Sequence, residues 1–132
     1  MNIDEFKKAV LSVDWTKFNG PELYNPRKVP EALIALAELK DSSQANRVGL
    51  EVVNAIGNNH SGTYYPVILE ALDFIIMLEK NSVNNKTRKI CSAAILNDLY
   101  YFEPELGSWS DCAITELKKI ATAKLSPFSD DE

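Results

Sequence analysis

Apolar residues recur three and four positions apart along most of the chain, the period of a helix with one buried face. Six such stretches stand out. The first runs over Ile3–Ser12, with Phe6, Ala9 and Val10 on one stripe. The second runs over Val29–Lys40, with Pro30 in its first turn, where a missing N–H is harmless. The third covers Ser42–Ile56, opened by a Ser or Asp cap and stopped by Gly57. The fourth covers Tyr64–Lys80, with Thr63 as its expected cap. Its apolar residues, from Val67 to Leu78, go nearly all the way round, so this helix is expected at the centre of the fold. The fifth covers Asn85–Tyr101 and the sixth Ser110–Lys124. No β-alternation of useful length appears.

The connections sort into two kinds. Short links near Asp41 and over Asn81–Asn84 make antiparallel neighbours of the helices they join. The three longer links, Val13–Lys28, Gly57–Thr63 and Phe102–Trp109, then share the opposite end. The expectation is an all-α fold of about six helices stacked as antiparallel pairs, a HEAT-like α-solenoid. Leu33-Ile34-Ala35-Leu36 and Leu72-Asp73-Phe74-Ile75 stand 39 residues apart, which fits that repeat. A compact helical bundle is the alternative. One domain is expected over residues 1–125, followed by a flexible acidic tail over 126–132.

Charge follows the same division. The short-link end gathers Lys40, Lys80, Lys86, Arg88, Lys89, Lys118, Lys119 and Lys124. The long-loop end gathers Asp14, Glu22, Glu103, Glu105 and Asp111, tempered by Lys17, Arg27 and Lys28. Acids at helix starts and bases at helix ends account for part of this. The remainder is a loop end rich in Tyr, Trp, Asn and Glu, the composition of a recognition surface.

Composition narrows the function. The chain has 132 residues, 45% apolar and 25% charged, enough for a self-sufficient core. Its net charge is −5. Asp130, Asp131 and Glu132 carry three of those charges, leaving 16 acidic and 14 basic side chains elsewhere. A direct nucleic-acid binder would present a basic face instead. The longest apolar run contains Glu70 and Asp73 and is too short to span a bilayer. The N-terminus lacks the layout of a secretion signal, so the cytoplasm is the expected location. Cys91 and Cys112 read as free, buried small hydrophobes. No cluster has metal-ligand spacing, no Gly-rich phosphate loop is present, and no cofactor is expected. His60, the only histidine, has no nucleophile or second base beside it. It serves either to lock its own loop or to contact a partner. Glu103-Pro104-Glu105 reads as a rigid acidic loop rather than a glycosidase pair.

The segment Asn58-Asn59-His60-Ser61-Gly62-Thr63-Tyr64-Tyr65-Pro66 carries a resemblance. Its His60-Ser-Gly-Thr-Tyr-Tyr run, entering an apolar helix, resembles the His-x-Gly-Thr-x-Tyr turn of small HEAT-like immunity proteins of bacterial polymorphic toxin and contact-dependent growth inhibition systems. Trp15, Phe18, Gly20, Tyr24 and Val29-Pro30-Glu31-Ala32-Leu33 resemble the same family's opening, and Leu96-Asn97-Asp98-Leu99 its later part. Pro66 departs from the acidic residue often found there. The resemblance implies an antitoxin, not an enzyme, which binds a cognate toxin domain as a monomer in a one-to-one complex. The acidic loop end points to a nuclease as the toxin. The expected contact residues are Glu22, Tyr24, Asn59, His60, Tyr64, Tyr101, Glu103, Glu105 and Asp111. Trp15 and Phe18 are read as a cover over the open face of the first helix pair, with exposed anchors as the alternative. One tyrosine of each adjacent pair, Tyr64 with Tyr65 and Tyr100 with Tyr101, is expected to face solvent. The alternative function is a general helical scaffold, unrelated to toxins, that holds a partner in the groove between helix pairs.

Overall fold

Asn2 opens the first helix: its side-chain Oδ1 accepts the backbone N–H groups of Asp4 and Glu5, two donors that the helix cannot satisfy itself. In the computed structural model, residues 1–18, 20–106 and 111–129 are described, apart from the side chains of Asp111 and Cys112. Among the described residues there are six α-helices: α1 (Ile3–Ser12), α2 (Lys28–Ala37), α3 (Ala45–Ile56), α4 (Ile68–Lys80), α5 (Lys86–Tyr100) and α6 (Asp111–Leu125). Three two-residue strands, β1 (Gly57–Asn58), β2 (Thr63–Tyr64) and β3 (Glu103–Pro104), form one small sheet in that order.

The helices pair as their short links require. α2 packs against α3 and α4 against α5; the two hairpins then meet with α2 on α4 and α3 on α5. α1 lies on α2 and sends Phe6 into an edge-to-face contact with Phe74 of α4, centroids 5.6 Å apart. α4 touches α2, α5 and α6, but α5 touches α2, α3, α4 and α6, so α4 is not the sole centre its pattern predicts, and its Leu69 and Met77 reach solvent. Trp15 is buried at 6.0 Å from Phe74 and donates its Nε1–H to the Val10 carbonyl at 2.9 Å. It therefore closes the side of the core next to α1, as a cover should.

The two ends of the fold separate as expected. At the short-link end, Asn85 caps α5 with its Oδ1 and donates Nδ2–H to the Leu39 carbonyl at 2.7 Å. This pins the α4–α5 turn to the end of α2. At the other end, the sheet joins the α3–α4 and α5–α6 connections, and Lys17 of the α1–α2 connection reaches Glu70 in the first turn of α4 at 3.3 Å.

Several expectations need correction. Arg88 is not part of a basic surface. It is buried, and its guanidinium donates to Ser82 Oγ, to the Ala37 carbonyl and to the Asn81 carbonyl. Ala37 and Asn81 close α2 and α4, whose C-terminal carbonyls carry the negative end of the helix dipole. Lys118 does not sit at the short-link end, since it meets Glu103 beside the sheet, and Lys124 meets Asp73 of α4. Thr63 caps no helix: paired on both sides as β2, it keeps the chain extended, and α4 starts only after Pro66. Of the expected tail, Ser126–Phe128 form a 3-10 turn whose Phe128 carbonyl accepts from Asn97 Nδ2 at 3.1 Å. Half-buried Phe128 gives that turn an apolar reason to dock. Residues 130–132 lie outside the described residues.

Candidate functional site

The loop end is assembled around Gly57. Its Cα lies so close to the facing strand that a Cβ would collide with the Thr63 carbonyl oxygen and stand 2.9 Å from Tyr64 Cα. Only glycine lets β1 and β2 meet there, with Gly57 opposite Tyr64 and Asn58 opposite Thr63. The intervening turn is fixed by Asn58, whose Oδ1 accepts the N–H groups of His60 at 2.9 Å and Ser61 at 3.2 Å. This is the local side-chain turn that asparagine favours. Gly62 follows in the left-handed region at φ 68° and donates its N–H to the Asn58 carbonyl. Asn54 Oδ1 takes the Asn59 N–H at 3.0 Å.

β3 then adds alongside in parallel. Glu103 N–H donates to the Gly62 carbonyl at 3.0 Å and Glu105 N–H to the Tyr64 carbonyl at 2.9 Å. Two connections 41 residues apart become one backbone-bonded platform. Asn59 and His60 stand exposed at the hairpin tip, and Glu103 is exposed along the outer strand. The His60 ring makes no hydrogen bond among the described residues. The loop is locked by Asn58 instead, which leaves His60 available to solvent. Lys118 Nζ grips both Glu103 oxygens, at 2.5 and 2.7 Å, and so offsets part of the acidic charge.

The remaining expected contact residues divide. Tyr101 is 55% exposed, and its ring meets Tyr100 edge-on at 5.0 Å. Tyr24 is half-buried, with its hydroxyl donating to the Trp15 carbonyl at 2.7 Å and its ring edge-on to Tyr65 at 5.8 Å. It braces the platform from the α1–α2 connection. Glu22 is exposed two residues before it and makes no ion pair among the described residues. Glu105 is half-buried. Tyr64 is a correction: it is only 2% exposed and belongs to the core, because alternation along β2 turns it inward and leaves Thr63 on the other face. Tyr65 is buried as well, so neither of that pair faces solvent. The Asp111 side chain lies outside the described residues.

Burial sets the tyrosine chemistry. The hydroxyls of Tyr24 and Tyr64 are both pushed up to about 12, by burial and, for Tyr64, also by Glu103. Tyr65 rises for the same reason, with Glu105 adding to it. No group of three or more metal-ligating side chains occurs among the described residues. No helix there is long and apolar enough to cross a membrane.

Sequence reasoning missed two apolar residues of this end. Leu23 and Leu106 are 75% and 76% exposed. Each sits in a turn among polar neighbours, where no periodicity marks a face, and an isolated leucine there gives no signal.

The chain matches no family model, no curated protein and no solved structure.

Proposed function

We propose that this protein is an immunity protein: it binds a cognate bacterial toxin domain one to one in the cytoplasm, without cofactor or chemistry of its own, and occludes the toxin's active site. One observation carries the reading. The sheet fuses the His60 hairpin to the Glu103 segment and presents Asn59, His60 and Glu103 on a rigid platform. A preformed surface loses little entropy on binding, and tight neutralisation requires that. Exposed Tyr101, Leu23 and Leu106 add the aromatic and apolar anchors that hot spots use. The stacking of α2 on α4 and α3 on α5 supports a HEAT-like relation between the two hairpins.

Charge supports a nuclease as the toxin. Glu22 and Glu103 give the platform an acidic rim, and a nuclease presents basic groups where it grips phosphate. Complementary charge speeds such an encounter. Co-expression with the reading frame immediately upstream, followed by pull-down, tests the proposal. A stoichiometric complex is expected, and Glu103→Lys with Glu105→Lys should slow its association and flatten its salt dependence. Absence of a complex rejects the immunity function; a complex indifferent to the double substitution rejects the platform as its contact surface.

A further inference from the structure

α3 and α5 lie side by side and run in the same direction. Cys91 Sγ donates to the Ala45 carbonyl at 3.6 Å, and the bare Gly49 faces Cys91 and Ile95 across the seam. The seam carries a groove of about 580 Å³, with Gly49 among its lining residues. Its rims are apolar and exposed: Leu50 at 49% on α3 and Ile90 at 59% on α5. On α5 the lining residues repeat at Lys86, Ile90, Ala94 and Asp98, one straight stripe four residues apart.

The two ends of the groove differ in charge. Lys86 stands at the end where α5 begins, and Asp98 stands at the end where α3 and α5 finish. Neither side chain has a hydrogen bond or ion pair among the described residues. From Lys86 to Asp98 is about 18 Å along the helix axis, the length of about twelve helical residues. Both helices also direct their negative dipole ends toward Asp98 and their positive ends toward Lys86.

We infer that the α3–α5 groove docks an amphipathic α-helix of a partner protein, antiparallel to α3 and α5, with a basic N-terminal turn at Asp98 and an acidic C-terminal turn at Lys86. Every electrostatic feature of the groove selects that one direction. Its apolar stripe would lie between Leu50 and Ile90 and complete a three-helix packing. Burial already pushes the Asp98 carboxyl up, and a cation set against it would reverse that cost. The inference does not depend on the toxin reading, because the groove and the platform share only Asn59 at their junction.

The test uses the full chain and two synthetic amphipathic helices of about 14 residues with leucine on one face. One carries lysine in its first turn and glutamate in its last; the other has those ends exchanged. The exchanged peptide is intrinsically the better helix, so the comparison is biased against the inference. Nitrogen-15 NMR titration should show the first peptide binding about tenfold tighter or more. The shifts should centre on Gly49, Leu50, Ile90 and Ala94. Ile90→Asp, at an exposed position and checked for folding by circular dichroism, should weaken binding at least about tenfold. Equal affinity of the two peptides overturns the direction. No binding near about 1 mM, or binding indifferent to Ile90→Asp, overturns the groove as a helix site. Sedimentation showing a dimer that Ile90→Asp dissociates would assign the face to a second copy of the chain and also overturn it.

Discussion

The guanidinium of Arg88 donates through Nη1 to the carbonyl of Ala37, 51 residues earlier, at 3.0 Å. Nη2 meanwhile reaches the Asn81 carbonyl at 3.0 Å, and Nε reaches Ser82 Oγ at 2.6 Å. One planar cation thus ties together the C-terminal ends of α2 and α4 and the start of α5. A lysine has the charge but not the fork. Arg88→Ala should cost about 3 kcal/mol, since it strands buried acceptors on two helices. Arg88→Lys should recover less than half of it. Urea unfolding checks this through the midpoint, and a loss below about 1 kcal/mol for Arg88→Ala would remove the clasp from the account.

The two hairpin glycines should respond differently. Gly57→Ala drives a Cβ into facing backbone that cannot move aside, so about 2 kcal/mol or more and the sheet itself should be lost. Gly62→Ala meets only Phe102 Cδ1 at 4.0 Å and pays just for its left-handed backbone, about 1 kcal/mol. Amide exchange at Glu103 and Glu105 separates them: protection should vanish in the first variant and persist in the second. Equal effects would contradict the close-approach explanation.

Ser92 is fully buried on α5, and its Oγ has no hydrogen-bond partner among the described residues. Replacing it with alanine removes an unsatisfied hydroxyl and adds a better helix former. Ser92→Ala should therefore raise stability by about 1 kcal/mol. A destabilised variant would mean that the hydroxyl has a partner after all.

Alkaline pH should unfold the protein through its tyrosines. Tyr24 and Tyr64 ionise near about 12 in the fold and near 10.0 in the unfolded chain. Above pH 10 the unfolded chain releases protons that the folded one keeps, so stability falls as pH rises. Their contribution is intact below about pH 10 and is lost on rising through about pH 12. Thermal melts from pH 8 to 12 should be level at first and then decline. Tyr24→Phe should make the decline shallower. A midpoint level to pH 12 would contradict the burial of these hydroxyls.

Much of this fold was legible in the sequence. α1 has the bounds its apolar spacing predicts, and α5 begins one residue after the expected start of the fifth stretch, with Asn85 as its cap. The long connections share one end because the intervening links are too short for anything else. The sheet was not legible: its strands are two residues long, and a period of two needs more positions to show itself. Arg88 was misjudged as surface charge, yet it continues the buried stripe of Cys91, Ser92, Ile95, Leu96 and Leu99. A charged residue in register with a core face is the signal that could have exposed it. Ile90 errs the opposite way: its apolar character suggests the core, but it stands off that stripe at the rim of the groove. Among the expected contact residues, Tyr64 failed because it takes the core-facing position of β2 while Thr63 takes the other face, and a two-residue strand is too short to show that alternation in the sequence.

We propose that the loop-end platform neutralises a toxin. Growth of cells producing the upstream-encoded domain tests it, with wild type, a platform variant (Asn59→Ala, His60→Ala, Tyr101→Ala and Glu103→Lys) and the groove variant Ile90→Asp supplied in turn. All three chains should fold, as judged by circular dichroism. Wild type and the groove variant are predicted to restore growth and the platform variant to fail. No rescue by wild type, or full rescue by the platform variant, would contradict the account.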